Sequence, residues 1–186
     1  PPLRLVMNRI PSQMDIRTVP LHALTSEQTT RIIELCSEVF RLDYAFYMNL
    51  DLPRVHVLAY AGERLVAHAL WLTRRLRAGA GPWLEAAYIE GVATHADFRG
   101  QGYGSAVMRR LQQAIDGFDV GALSPSEPGW YERLGWERWQ GPLFIIKDGI
   151  AEATPKECVL IYRTAKTGAL DLTASLTAEW RPFELW

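Results

Sequence analysis

Two cysteines, Cys36 and Cys158, are all that the 186-residue chain contains. So small a supply allows one disulfide at most, which excludes a disulfide-built scaffold, and two cysteines in a chain of this size more often mean reduced thiols of the cytoplasm. Cys36 lies in a helical apolar pattern with Ile32, Ile33, Leu35, Val39 and Phe40, the setting of a buried thiol. No apolar run approaches the roughly 18 residues of a membrane span. The start of the chain lacks the charged-then-apolar pattern of a secretory leader. The expected location is therefore cytoplasmic, with no membrane partner. Neither charge sign is in excess: the formal net charge is −1. No strong field draws the chain to nucleic acid, and no basic stripe with interleaved aromatics is present to grip single strands. His22, His56, His68 and His95 show no metal-ligand spacing, so no metal is expected. Repeats, low-complexity segments and linkers are missing as well.

What is present suits a compact enzyme. Apolar residues make up 48% of the chain, enough for a core, and the length fits one domain. That domain is placed at residues 14–186. Residues 1–13, which contain Met7 and precede Met14, are expected to be a disordered or vector-derived extension.

The coarse pattern alternates strands and helices. A first strand is predicted at 14–22, then a helix from Ser26 to Phe40 capped by Thr25 or Ser26. Residues 42–53 read as a loop or irregular helix. Strands at 55–60 and 65–73 flank Ala61-Gly-Glu-Arg64, a hairpin signal. A long strand runs from Trp83 to Thr94. A helix begins between Gly102 and Ser105 and stops near Gly117, with Val107, Leu111, Ala114 and Ile115 on one face. A short buried strand at 120–123 and a short helix at 128–134 follow. Further strands are predicted at 136–139, 143–147, 157–163 and 171–180. Strands outnumber helices, so the fold class is α/β with a mixed sheet.

The stretch from Tyr88 to Ser105, YIEGVATHADFRGQGYGS, carries the chemistry. It runs from strand through polar break and glycine-rich loop straight into a helix. The first amides of that helix have no internal partners, and its dipole is positive there. A phosphate or diphosphate answers both. Gly100, Gly102 and Gly104 let the backbone approach an anion, and Arg99 adds a fixed positive charge. A tight turn with packing needs would use the same glycines. Two other phosphate loops are excluded. No Lys-Ser or Lys-Thr follows the glycines, and Ser105 stands where G-x-G-x-x-G needs its third glycine.

Arg99-Gly-Gln-Gly-Tyr-Gly104 resembles the R/Q-x-x-G-x-G/A signature of the GNAT superfamily of N-acetyltransferases, and Tyr88 to Thr94 resembles their fourth strand. Gly121-Ala-Leu-Ser124, Trp130-Tyr131, Gly135-Trp136 and the tail from Asp171 to Trp186 are similar to the aminoglycoside 2′-N-acetyltransferases. The similarity covers roughly residues 30 to 186. It implies a largely antiparallel sheet whose fourth and fifth strands splay apart around the pantetheine arm of acetyl-CoA. It also implies acetyl transfer to the 2′-amine of an aminoglycoside in a ternary complex, and antibiotic resistance as the outcome.

Attack of an amine on a thioester needs a proton acceptor, since the amine arrives as an ammonium. Glu90 stands in the strand before the loop; the resemblance makes it a base acting through water, and the plain alternative is a solvated strand residue. Glu85 competes, but an odd offset places it on the opposite strand face. The leaving thiolate needs a proton, and the resemblance assigns Tyr131 as its donor; otherwise Tyr131 is an aromatic packed beside Trp130 and Trp136. The thioester carbonyl needs a donor, for which the main chain of Val92, Ala93 and Thr94 is expected. The cofactor set is then Val92, Ala93, Thr94 and Arg99, Gly100, Gln101, Gly102, Tyr103, Gly104 and Ser105.

A polycationic acceptor calls for several acids. The resemblance offers Asp43, Glu90, Glu157, Glu184 and the α-carboxylate of Trp186, with Ser124 as a hydroxyl contact and Ser126 competing. Trp180, Phe183 and Trp186 are expected to bury and pin the tail. Several positions depart from the pattern. Glu184-Leu185-Trp186 replaces an Asp-x-Trp ending, Thr154-Pro-Lys-Glu157 replaces an acidic stretch, and Tyr44-Ala-Phe-Tyr47 is more aromatic than acidic. Fewer acids favour an aminoglycoside with few amines, such as kasugamycin, beside the gentamicin and tobramycin type. Another amine (peptide, lysine or polyamine), a different amino sugar, or a non-catalytic acetyl-CoA binding module remain alternatives. A homodimer is compatible with the sequence.

Overall fold

The computed structural model describes residues 14–182 and 186. The extension expected at residues 1–13 lies outside the described residues, as do Phe183 and Glu184. The elements in chain order begin with β1 (Asp15–Pro20), a 3-10 turn (Leu21–Ala23), α1 (Ser26–Phe40) and the single turn α2 (Ala45–Met48). Next come β2 (Arg54–Ala61), β3 (Arg64–Ala78) and β4 (Trp83–Thr94), then α3 (Tyr103–Ala114) and β5 (Val120–Leu123). Last are α4 (Pro128–Glu132), β6 (Glu137–Arg138), β7 (Leu143–Lys147), β8 (Ile150–Ala153), β9 (Leu160–Tyr162) and β10 (Leu176–Glu179).

These strands form one mixed sheet in the order β6-β9-β5-β4-β3-β10-β7-β8, with β2 on the first half of β3 and β1 on β2. Only β4–β5 and β10–β7 pair in parallel. The long β3 makes this possible: β2 covers Arg64 to Leu72, and β10 takes over from Leu76 to Ala78.

Local chemistry explains the main elements. Thr25 opens α1 through a capping box: its hydroxyl accepts from the Gln28 amide while the Gln28 side chain accepts from the Thr25 amide. Ile32, Leu35 and Cys36 are the stripe that α1 buries. Helix α3 buries Val107, Met108 and Leu111 against β2, β3 and β4. Each such side chain contributes about 1.5–3 kcal/mol. Leu111→Ala would weaken this contact by about 2–5 kcal/mol.

Several boundaries differ from expectation, and β3, expected to end at residue 73, runs on to Ala78. The first strand stops at Pro20, where its pairing with Val55 ends and the chain enters the 3-10 turn. Strand β9 keeps only the residues that reach β5 and β6. The last strand starts at Leu176, because Asp171 folds the chain before it by accepting from the Thr173 amide and hydroxyl. Strand β8 has no counterpart among the predicted strands. All four of its residues are exposed, so no apolar period marks it. Its turn, Asp148-Gly149, has both φ angles positive, the backbone of a tight hairpin.

Candidate active site

Strands β4 and β5 run side by side only from Ala86 to Tyr88, against Val120 to Ala122. Beyond Tyr88, β4 keeps β3 on one edge and has no strand on the other among the described residues. The expected splay is therefore present. Two cavities open along it. One, of about 630 Å³, lies under the glycine loop and Trp130. The other, of about 370 Å³, is lined by Tyr44, Tyr88, Glu90, Ser124 and Trp186, among others. Phe40, Val92, Ser126 and Tyr131 line both. A group handed from one cavity to the other passes these four.

The first cavity fits a diphosphate. Gly100 and Gly102 hold φ of +75° and +89°, the left-handed region where a side chain is strained. A Cβ at Gly104 would sit 2.8 Å from Thr94 Oγ1, so that glycine keeps the floor open. No side chain caps α3 at Gly102, which leaves its first amides for an anion. Arg99 is held beside the loop by donating from Nε to the Thr94 carbonyl at 3.2 Å. Val92, Thr94, Arg99, Gly100, Gly102, Gly104 and Ser105 line this cavity. Three residues of the expected set do not. Ala93 is buried in a separate cluster under α1. Gln101 donates from its side chain to the Asp97 carbonyl. Tyr103 is buried in the core, edge-on to Phe98 at 5.7 Å. Their side chains serve the loop and the core rather than the cavity.

In the second cavity Glu90 does not stand alone. Arg181 donates to its Oε1 at 2.5 Å, and the two side chains are 20% and 10% exposed. Arg181 also donates to the main-chain oxygen of Trp186 at 3.5 Å. Its guanidinium lies 5.4 Å from the Tyr88 ring, and that of Arg74 lies 4.6 Å from the same ring. Burial, reinforced by the like charge of Arg181, pulls Arg74 down to about 10. Sequence reasoning missed Arg181. It sat inside a tail read for its aromatics, 91 residues from its partner, and no local signal marks such a pair.

Tyr131 reaches both cavities, with Trp130 edge-on at 4.7 Å and Trp136 at 6.5 Å. Burial, with Glu127 adding to it, raises its phenol to about 12, so it keeps its proton at neutral pH. Trp186 is buried, and its indole donates to Thr154 Oγ1 at 2.8 Å.

The remaining acids are dispersed. Asp43 lines neither cavity; its exposed carboxylate accepts from the Ala45 amide at 2.9 Å and sets the turn into α2. Glu157 is exposed and outside the lining; its carboxylate accepts from the hydroxyl of Ser124, which lines the second cavity, at 3.5 Å. Glu184 lies outside the described residues. Trp180 is not buried; it faces outward at 40% exposure, with Lys147 over its ring. Among the described residues, no group of three or more His, Cys, Asp or Glu could hold a metal ion.

Between the cavities, β4 bulges. The register passes from Leu70↔Glu90 to His68↔Ala93, so Gly91 and Val92 together face Ala69. Gly91 has φ +60°, and a Cβ there would collide with the Tyr44 hydroxyl and the His68 ring. Two histidines that look unrelated in sequence meet beneath it. Burial pulls His68 down to about 4 and His56, with His68 and Arg54 contributing, to about 2, so both are neutral. One tautomer assignment then suits the contacts. His68 Nδ1–H donates to the Gly91 carbonyl at 2.7 Å, and His56 Nδ1–H donates to His68 Nε2 at 2.9 Å. His56 Nε2 is left as a buried lone pair.

Comparison with known proteins agrees with this geometry. Residues 21–139 match the family model described as an acetyltransferase (GNAT) domain. The chain is 37% identical over 131 residues to an aminoglycoside 2′-N-acetyltransferase of Mycolicibacterium fortuitum, and the match spans 66% of each chain. A GNAT family N-acetyltransferase of Escherichia coli, solved in complex with CoA, superposes with a TM-score of 0.62 at 15% identity over 89% of both chains. A GCN5-related N-acetyltransferase of Kribbella flavida superposes at 0.55 with 24% identity, covering 69% of this chain and 34% of its own. Domains of this type use acetyl-CoA. With the family model covering well over half of its length, the chain belongs to the GNAT superfamily of acetyltransferases.

Proposed function

We propose that the protein transfers the acetyl group of acetyl-CoA to the 2′-amine of an aminoglycoside, of the kasugamycin or the gentamicin and tobramycin type, and so confers resistance. The observation that carries this reading is the junction of the two cavities at Val92 and Tyr131, with Glu90 on the acceptor side only. The resemblance to an aminoglycoside 2′-N-acetyltransferase supports the acceptor class.

Acetyl-CoA supplies an acetyl group activated as a thioester. The amides at the start of α3, with Arg99, hold its diphosphate. Glu90 takes a proton from the acceptor ammonium, directly or through water, and frees the nitrogen lone pair. The new C–N bond forms as the C–S bond breaks. Tyr131, protonated at neutral pH, gives its proton to the departing sulfur, and the second proton of the attacking nitrogen, shed as the amide forms, restores the phenol. The main chain of the bulge at Val92 offers a donor to the thioester carbonyl. Both substrates sit in joined cavities, so transfer is direct and no acyl-enzyme forms.

The test is thiol release from acetyl-CoA over a panel of aminoglycosides, with mass spectrometry and NMR locating the acetyl group. Release that depends on the aminoglycoside, with the label on the 2′-nitrogen, is expected. Release with peptides or polyamines but none with aminoglycosides would overturn the acceptor class and leave acetyl transfer in place.

A further inference from the structure

The carbonyl of one residue and the amide of the next belong to one planar trans peptide unit, and they point in opposite directions. Fixing either one aims the other. The unit between Gly91 and Val92 lies in the β4 bulge, where both residues face Ala69 and the ladder is interrupted. Its carbonyl accepts from a side chain, His68 Nδ1–H, at 2.7 Å. His68 belongs to β3, the strand on one edge of β4. The Val92 N–H therefore points away from β3, to the edge that no strand covers here among the described residues. Val92 lines both cavities on that edge.

Gly91 makes such a hold necessary. At φ +60° and without a Cβ, it leaves the following peptide free to turn over, which would swing the Val92 N–H onto β3. His68 is suited to hold it because its own proton is placed. A carbonyl oxygen only accepts, so His68 Nδ1 must carry hydrogen. The ring is neutral, which leaves Nε2 an acceptor, and His56 Nδ1–H fills it at 2.9 Å. Cys36 Sγ packs 3.5 Å from His68 Nδ1, and both histidines are fully buried. Neither histidine lines either cavity, so neither touches a substrate.

We propose that His68, braced by His56, is a positioning residue for acetyl transfer: it holds the Gly91–Val92 peptide so that the Val92 N–H faces the thioester carbonyl. This deepens the acetyl-transfer reading and rests on it. The N–H stabilises the oxyanion that develops as the amine adds, and a donor aimed in advance needs no reorganisation at that moment. The histidine pair acts on the donor half of the reaction, so its effect is the same for every acceptor amine.

Isotope-edited infrared spectroscopy reads the contact directly, on acetyl-CoA labelled at its carbonyl and bound without acceptor. In the wild type, the hydrogen bond from Val92 should lower the thioester stretch below that of free acetyl-CoA. His68→Leu removes the donor to Gly91. It should lose the shift and lower kcat on the best aminoglycoside by about 10²-fold, with KM for that amine and affinity for acetyl-CoA within about twofold of wild type. Calorimetric stoichiometry counts the folded sites, so partial unfolding is not read as slow chemistry. His68→Asn, whose side-chain amide nitrogen takes the place of Nδ1, should regain the shift and most of kcat. An unshifted stretch in the wild type overturns the inference and leaves acetyl transfer standing. So does a fall in kcat in His68→Leu with the shift retained, or an equal loss in both variants. If His68→Leu does not fold, the wild-type spectrum and His68→Asn still decide. Absence of thiol release with every amine sinks the proposed function, and the positioning role with it, even where the shift is seen.

Discussion

The cavity under the glycine loop and the cavity beside Glu90 share a wall but are made of different material. The first presents main-chain amides, three glycines and one arginine from one stretch between Glu90 and Met108, closed over by side chains of α1, the loop after β5 and α4. The second draws side chains from β4, the turn around α2, the loop after β5, α4 and the end of the chain. Main-chain grips respond to shape, since any Cβ that fits leaves the amides in place. Side-chain sites respond to charge and to partners far away in sequence. Cofactor affinity and acceptor chemistry should therefore separate under mutation.

The largest expected effect lies on the acceptor side. Glu90→Gln keeps shape and removes the base; kcat/KM should fall by about 10²-fold or more. CoA affinity, measured by calorimetry, should stay within about twofold of wild type. A parallel fall in both would mean that the two cavities do not act separately. Next is Gly104→Val. Its Cβ would meet Thr94 Oγ1 and the Trp130 ring, filling the cavity floor. CoA should bind at least about tenfold more weakly, while the ranking of acceptors in a thiol-release panel is unchanged. A changed ranking would show that the glycine loop also shapes the acceptor site.

The bulge that joins the cavities should be acid-sensitive. His68 has a folded pKa of about 4, below its unfolded value near 6.5. The unfolded chain therefore binds more protons over that interval, and stability is lost as pH falls from about 6.5 to about 4. For His68 alone the loss reaches about 3 kcal/mol across the window. Thermal melts of wild type and His68→Gln over this range give the check: the variant should start less stable and show a shallower dependence. Equal slopes would mean that the histidine pair does not set the acid limit. The smallest effect belongs to Asp43. Its carboxylate only orders the turn into α2, so Asp43→Ala should lower stability by about 0.5–1 kcal/mol. Its kcat/KM for aminoglycosides should match wild type; a clear rise in KM would return Asp43 to the acceptor site.

The same contrast explains what could be read from residues alone. The glycine loop, α1, β4 and β5 were legible because their signals are local: a capping residue, a helical stripe, a short apolar run before glycines. The resemblance in the strand before Arg99 singled out Glu90 and that in Trp130-Tyr131 singled out Tyr131; Glu90 lines the second cavity and Tyr131 lines both. The hairpin of β8 was silent, since all its residues are exposed and only Asp148-Gly149 hinted at a turn. Arg181, the His56–His68 pair and the dispersal of Asp43 and Glu157 depend on chain segments that meet only in the folded sheet. Charge pairs at such separations leave no period in the sequence. Of the acceptor set carried over by resemblance, Glu90, Ser124 and Trp186 line the cavity and Asp43 and Glu157 do not, while Arg181 was not among the residues singled out.

Initial-rate kinetics with both substrates varied test direct transfer across the Val92–Tyr131 junction most closely. Thiol release should depend on acetyl-CoA and aminoglycoside together, and double-reciprocal plots should intersect, as two substrates bound at once require. Parallel lines, with an acetylated protein isolated by mass spectrometry in the absence of acceptor, would contradict it.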